Sequence, residues 1–378
     1  MSVVSIPITM EKFTDTQMKT LAIIPKFSSA IGIVGDLIII TEILVLDRPN
    51  KLKRAVHRIV LAMSICDLIS SPGFFLSTWP IPKEEEGVFF NVGNQGTCVL
   101  QGFLIQFGMS VPLLNMCLAI YYILVIQYSW KEEQIRKKVE PFFYGLSLSF
   151  AIATCSASVA LDLFNSANLW CWIAETPSGC NESYNTKGET DCLRGDNAML
   201  YRWSFYYALV WFALLFVGVI MFKVYMTFRK LETANARYAT AMSSSGKKQA
   251  SRARMVGTQG IWFVGAMYIT YFFPTISRIA QQAGVTSFPL LLLHALSFPT
   301  QGFWNFWVYI RPRFIKYRSD HPGSTVWGTL RAILYDQYMA NIQRDAAYTM
   351  QTRDPTSEVP KSDGPQDYVE EVAEDGQD

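Results

Sequence analysis

Apolar residues run in seven long blocks along the chain, each of about 20 residues, the length at which a helix crosses the hydrocarbon core of a bilayer. The blocks are roughly 27–46, 57–79, 99–128, 142–164, 203–228, 258–280 and 288–310. The pattern predicts an all-α membrane protein, a seven-transmembrane-helix bundle. It divides the chain into a short amino-terminal tail (1–26), the bundle (27–311), a juxtamembrane segment (312–345) and a polar tail (346–378). In the juxtamembrane segment Val326, Trp327, Leu330, Ile333, Leu334 and Tyr338 recur at near-helical spacing, which fits either a short helix on the membrane surface or a linker. Eight acids against one lysine between Glu358 and Asp378 predict a disordered end. Residues 1–20 lack the apolar core of a cleavable signal, so the first block is expected to direct insertion itself.

Composition agrees with a membrane class. Half of the 378 residues are hydrophobic, and 17% are charged, against roughly 25% in an average soluble domain. The net charge of +2 says little, but its distribution says more. Lys and Arg gather in alternate loops: Arg48, Lys51, Lys53 and Arg54; then Lys131, Arg136, Lys137 and Lys138; then Arg229 through Arg254; then Arg311, Arg313, Lys316 and Arg318. The opposite loops are poor in base. By the positive-inside rule the amino terminus is expected outside and the carboxyl tail in the cytosol.

Four of the seven cysteines, Cys98, Cys171, Cys180 and Cys192, fall in the loops assigned to the outside, the compartment in which disulfides persist. Four cysteines allow three pairings. The favoured one joins Cys98 to Cys171 and Cys180 to Cys192, with four free thiols as the alternative. Asn181-Glu182-Ser183 in the same loop is a glycosylation acceptor, a weak signal because such tripeptides arise by chance.

An ionisable side chain at the bilayer centre costs roughly 2.5–3.5 kcal/mol even on lenient scales, so each one needs a reason. Asp36 in the first span and Asp67 in the second both fall near the midplane at 1.5 Å of rise per residue. Asn115 and Asn305 add amides at middle to inner depth. Two neighbouring carboxylates with no base must share a proton or hold a cation; neutral acids bonded to adjacent helices are the plainer alternative. Glu42 and Lys26 lie near span ends and are expected to snorkel. Pro112, Pro274 and Pro299 mark bends in spans three, six and seven. Near the outer ends, Asp162, Trp172, Arg202 and Arg278 can rim a pocket for a polar ligand, or form an ordinary interfacial belt.

Residues 297–313, Ser-Phe-Pro-Thr-Gln-Gly-Phe-Trp-Asn-Phe-Trp-Val-Tyr-Ile-Arg-Pro-Arg, resemble the span-seven signature of the cyclic-AMP-receptor-like G-protein-coupled receptors. Leu61-Ala62-Met63-Ser64-Ile65-Cys66-Asp67-Leu68, Trp170-Cys171-Trp172-Ile173 and Phe273-Pro274-Thr275-Ile276-Ser277-Arg278 fit the same family. The resemblance implies a plasma-membrane receptor that binds a small extracellular ligand and activates a heterotrimeric G protein, needs no cofactor, and contacts no nucleic acid. It places Asp67 at the span-two acid of the wider superfamily and Cys98 at the span-three cysteine bonded to the second outer loop. The basic residues Arg252, Arg254, Arg311 and Arg313 are then expected to face the G protein. Span three ends Val125-Ile126-Gln127-Tyr128 without an Asp-Arg-Tyr, and span seven has Asn305 and Tyr309 without an Asn-Pro-x-x-Tyr.

Other classes fit less well. Span seven lacks the lysine a retinal Schiff base requires, and His57, His294 and His321 are too scattered for a zinc hydrolase. The competing reading from another class is a proton- or cation-coupled transporter that uses Asp36 and Asp67.

Overall fold

A threonine sets where the first helix begins. The Thr14 side chain accepts from the Gln17 amide, and the Gln17 side chain accepts in return from the Thr14 amide at 2.9 Å, a reciprocal cap that satisfies two otherwise orphan donors. Helix α1 therefore runs Asp15–Thr41, starting well before the hydropathy boundary at Phe27. The computed structural model describes residues 13–46, 51–85, 87–177, 180, 192–237, 244–282, 285–336 and 339. The side chains of 46, 228, 231–237, 244–257, 259, 282 and 336 lie outside the described set, as does the sequon asparagine Asn181.

After a π turn at Glu42–Leu46 come α2 (Ala55–Leu76), α3 (Gln95–Phe107), α4 (Ser110–Ile126), α5 (Glu132–Lys138) and α6 (Glu140–Ala160). A hairpin of β1 (Phe164–Ser166) and β2 (Cys171–Ile173) follows, pairing Phe164 with Ile173 and Ser166 with Cys171. Then come α7 (Ala198–Arg202), a π turn at Trp203–Tyr207, α8 (Ala208–Arg237), α9 (Ser244–Gln282), α10 (Phe288–Ser297) and α11 (Gln301–Asp320).

Among the described residues, six helical stretches are long and apolar enough to cross a membrane: Asp15–Val45, Ala55–Leu76, Gln95–Ile126, Glu140–Ala160, Ala198–Thr227 and Gly260–Gln281. They make a multi-pass membrane bundle. Large apolar side chains such as Phe142, Leu146, Leu215 and Phe222 face outward, as hydrocarbon contact requires. The seventh predicted span is divided. Pro299 cannot donate to the helix ladder, a 3-10 turn at Phe298–Thr300 separates α10 from α11, and the second half of α11 is basic.

Pro112 has a similar effect in span three. Gly108, Met109 and Val111 donate three residues back rather than four, and this tightened turn divides α3 from α4. Pro274 leaves α9 continuous. The helices close a ring in which α1 packs on α2 and α10, α8 on α4 and α9, and α9 on α10, while α3 and α4 run through the middle against α2, α6, α8 and α9.

The seam between α1 and the α10–α11 segment is closely packed. A Cβ on Gly32 would stand 2.4 Å from the Pro299 carbonyl oxygen, and one on Gly35 2.6 Å from that of Gly302. Ser28 Oγ closes one end of the seam by donating to the Ala295 carbonyl at 2.7 Å. Residues from Tyr317 onward form a separate unit. Within it the Tyr317 ring stacks on His321, and Thr325 caps the short helix α12 (Val326–Arg331) by accepting from Gly328 N at 3.1 Å.

Gly302→Ala would bring a methyl within 2.2 Å of Asp36 Oδ2, and overpacking of this kind costs about 1–3 kcal/mol. Thermal unfolding in detergent should show a clear loss of stability. Gly145→Ala, where nothing lies within 4 Å, should be neutral or slightly stabilising by comparison. Equal midpoints for the two variants would mean that the seam is loose.

Candidate functional site

The hairpin end of the bundle is assembled around α3. Cys98 on α3 is bonded to Cys171 on β2, and Cys180 to Cys192. Two glutamines complete the attachment. Gln101 accepts from the Cys171 amide at 2.8 Å while donating to the carbonyls of Gly73 and Ser77, and Gln106 accepts from Trp172 Nε1 at 3.0 Å. The hairpin is thus held over the bundle by one covalent and several polar links.

Beneath it lies a pocket whose lining includes Trp170, Trp172, Tyr206, Tyr271, Arg278 and His294. The rings meet edge to face. Trp172 is 5.0 Å from Tyr206, and Trp170 is 5.4 Å from His294. Arg278 is 5% exposed, lies 5.6 Å over the Trp172 ring, and donates through Nη1 to Gln281 at 2.7 Å. Half-buried Arg202 donates to the Ile173 carbonyl at 3.0 Å, close enough to Arg278 for the two charges to repel. Of the four predicted rim residues, three come together. Asp162 does not: it is exposed, adopts a left-handed backbone (φ 54°), and pairs with Arg194 at 2.6 Å, which leans on Asn165.

Halfway down the bundle the predicted polar residues are all buried: Asp36, Asp67, Asn115 and Asn305. The carboxyl groups of Asp36 and Asp67 are neighbours, with Ser64 beside Asp36. Ser70 donates to the Asp67 carbonyl at 3.0 Å. Neither Asp36 oxygen has a hydrogen-bond donor among the described residues, and one of them lies where a Gly302 side chain would stand. Asn115 donates instead to Val111 of its own helix at 3.2 Å, and the Asn305 amide nitrogen finds no partner among the described residues. Ser64, Ser70 and Gly302 were missed by sequence reasoning, because serine and glycine carry no cost that marks them in a span. Tyr271, which lines the upper pocket, donates to Gln301 at 3.1 Å, directly before Gly302. Upper pocket and middle cluster are therefore one bond and one residue apart.

At the opposite end the expectation for Glu42 fails. It does not snorkel; it is 2% exposed and receives Lys51 Nζ at 2.6 Å and both terminal nitrogens of Arg313. Arg313 is thereby turned inward toward α1 and over Tyr309. Arg311 lies 4.4 Å over the Trp262 ring of α9. A second ion pair joins Arg58 to Glu140 at 2.6 Å, and Glu132 accepts from both Tyr121 and the Ala55 amide. Arg252 and Arg254 lie in the helical run of α9, and their side chains fall outside the described set. Half-buried Lys26 donates to the Leu76 carbonyl at 2.9 Å and so caps α2, with its ammonium 3.5 Å from the Trp79 ring centre.

No family profile matches this chain, and no curated protein does. Among solved structures the crystal structure of squid rhodopsin superposes with a TM-score of 0.51 at 12% identity, covering 95% of this chain and 97% of that one. The fold is rhodopsin-like. At that identity the likeness shows the fold alone and does not reach the cyclic-AMP-receptor-like group.

Glu42→Gln would remove the carboxylate that Lys51 and Arg313 share. Removing one partner of a buried ion pair costs about 3–5 kcal/mol, so the variant should unfold at a markedly lower temperature than the parent, with partial recovery in Glu42→Asp. An unchanged midpoint would show that the triad is solvated and contributes little.

Proposed function

We propose that the chain is a G-protein-coupled receptor of seven spans, set in the plasma membrane with its amino terminus outside and its carboxyl tail in the cytosol. It binds a small extracellular ligand in the pocket beneath the hairpin and activates a heterotrimeric G protein at the opposite end. The observation that carries this reading is the rhodopsin-like fold over nearly the whole chain. The pocket under a disulfide-tethered hairpin adds to it. The sequence resemblance to cyclic-AMP-receptor-like receptors points the same way. The carrier alternative, built on Asp36 and Asp67, is not favoured by a fold of this kind.

Transmission follows from the geometry. Pro274 lines the pocket on α9, and α9 continues to Ser244, about 45 Å away at 1.5 Å per residue. A small change of angle at Pro274 becomes a displacement of many ångströms at the far end, whereas the α1 seam holds the α10–α11 segment in place. A ligand moves this equilibrium only by binding the two states unequally. On this proposal the Tyr271–Gln301 bond links the pocket to the acid pair, and that link differs between the two states. In this reading Arg252 and Arg254 and the guanidinium of Arg311 orient the acidic groups of the partner, anionic lipid takes up the remaining basic residues, and Asn181 carries a glycan outside.

The test is ligand-dependent nucleotide exchange on a purified G protein reconstituted with the chain. A ligand screen should yield at least one compound that accelerates exchange, and Arg252→Glu combined with Arg254→Glu should reduce the stimulated rate by roughly tenfold or more while ligand binding without G protein persists. Solute flux without any exchange would return the carrier to first place.

A further inference from the structure

Among the described residues Arg278 is a charge without a counter-charge. Its side chain is buried beneath the hairpin, and among the described residues no carboxylate pairs with it. Its hydrogen bonds go to neutral groups, the Gln281 amide and the Tyr207 hydroxyl, and its Nε has no partner among the described residues. Arg202 stands near enough to add repulsion, and the groups that favour the charge on Arg202 are Tyr207 and then Glu175. Asp162, which sequence reasoning places in the same rim, is taken by Arg194. A buried guanidinium left in this condition is costly unless an anion completes it. The surroundings suit one: the edges of aromatic rings carry partial positive charge, and Trp172 meets Tyr206 and Tyr207 edge to face beside the arginine. The planar guanidinium fork matches an oxyanion with two bonds.

We propose that the pocket seats an anionic group against Arg278, with Arg202 as the second cation and Trp172 as the wall. This deepens the receptor reading and rests on it for the claim that the anion belongs to a signalling ligand; the site itself stands on the unpaired arginine. The anion has two sources, a free inorganic ion or the anionic group of an organic ligand with a flat apolar body, and the test separates them.

The full chain in neutral-lipid nanodiscs is unfolded thermally at fixed ionic strength, with gluconate as the reference anion, then with chloride, benzoate or the neutral isostere benzamide. No G protein is present, so failure of the receptor reading and failure of this one are distinguishable. Saturating benzoate should raise the midpoint by about 3–5 °C, benzamide should not, and Arg278→Gln should abolish the rise. In gluconate alone Arg278→Gln should be at least as stable as the parent, because it removes an uncompensated buried charge. A rise with chloride equal to that with benzoate assigns the seat to an inorganic ion; a larger rise with benzoate assigns it to an organic ligand. Equal responses to benzoate and benzamide, no response to any anion, or an Arg278→Gln variant that still responds would overturn the proposal. So would a variant destabilised alike in every medium, since the arginine would then be structural.

Discussion

Within hydrocarbon no water is available to complete a hydrogen bond, so a polar side chain in the bundle is costly unless a neighbouring group satisfies it. The structure follows from how this chain meets that constraint. Gln101 ties α3 to two carbonyls of the α2 end and to the hairpin. Lys26 closes the end of α2 from α1. Glu42 gathers Lys51 and Arg313, joining α1 to α11 at the basic end. Each is a polar residue whose cost is met only when two or three elements stand in one arrangement, so the polar set specifies the packing that apolar contacts alone would leave loose.

Glycine supplies the complementary half of the constraint. Along the α1 seam the backbones approach so closely that no side chain fits at Gly32, Gly35 or Gly302, and close approach is what lets van der Waals contact act where the hydrophobic effect does not. This seam is the fixed part of the bundle. The long helix α9 is joined to it through Tyr271 and Gln301, and the prolines divide the labour: Pro112 and Pro299 break helices, while Pro274 leaves a continuous lever.

Much of the architecture was legible in the sequence, because length and hydropathy are direct consequences of bilayer thickness. The spans, the four cysteines of the outer loops, and the exceptional position of Asp36 and Asp67 all stand out on those grounds. The start of α1 was not legible: its cap depends on two polar residues in a stretch with no apolar signal. The burial of Glu42 was hidden because its partners are 9 and 271 residues away, and depth alone suggested snorkelling. The rim was legible in part: Trp172, Arg202 and Arg278 converge, but Asp162 turns to Arg194, a choice set by the hairpin that three-residue strands scarcely announce.

Several buried polar atoms of the described residues lack a hydrogen-bond partner, and the most costly are in the adjacent carboxyls of Asp36 and Asp67, one pressed against a glycine that leaves room for nothing else. Two negative charges side by side in hydrocarbon are costly, and we propose that this pair holds a shared proton when no cation is present. Infrared spectroscopy of the chain in sodium-free buffer tests it directly. The account predicts a carbonyl band from a protonated, buried carboxyl group that disappears when Asp36 and Asp67 are both changed to asparagine. A spectrum with no such band at neutral pH, with or without sodium, would mean two ionised carboxylates and would contradict it.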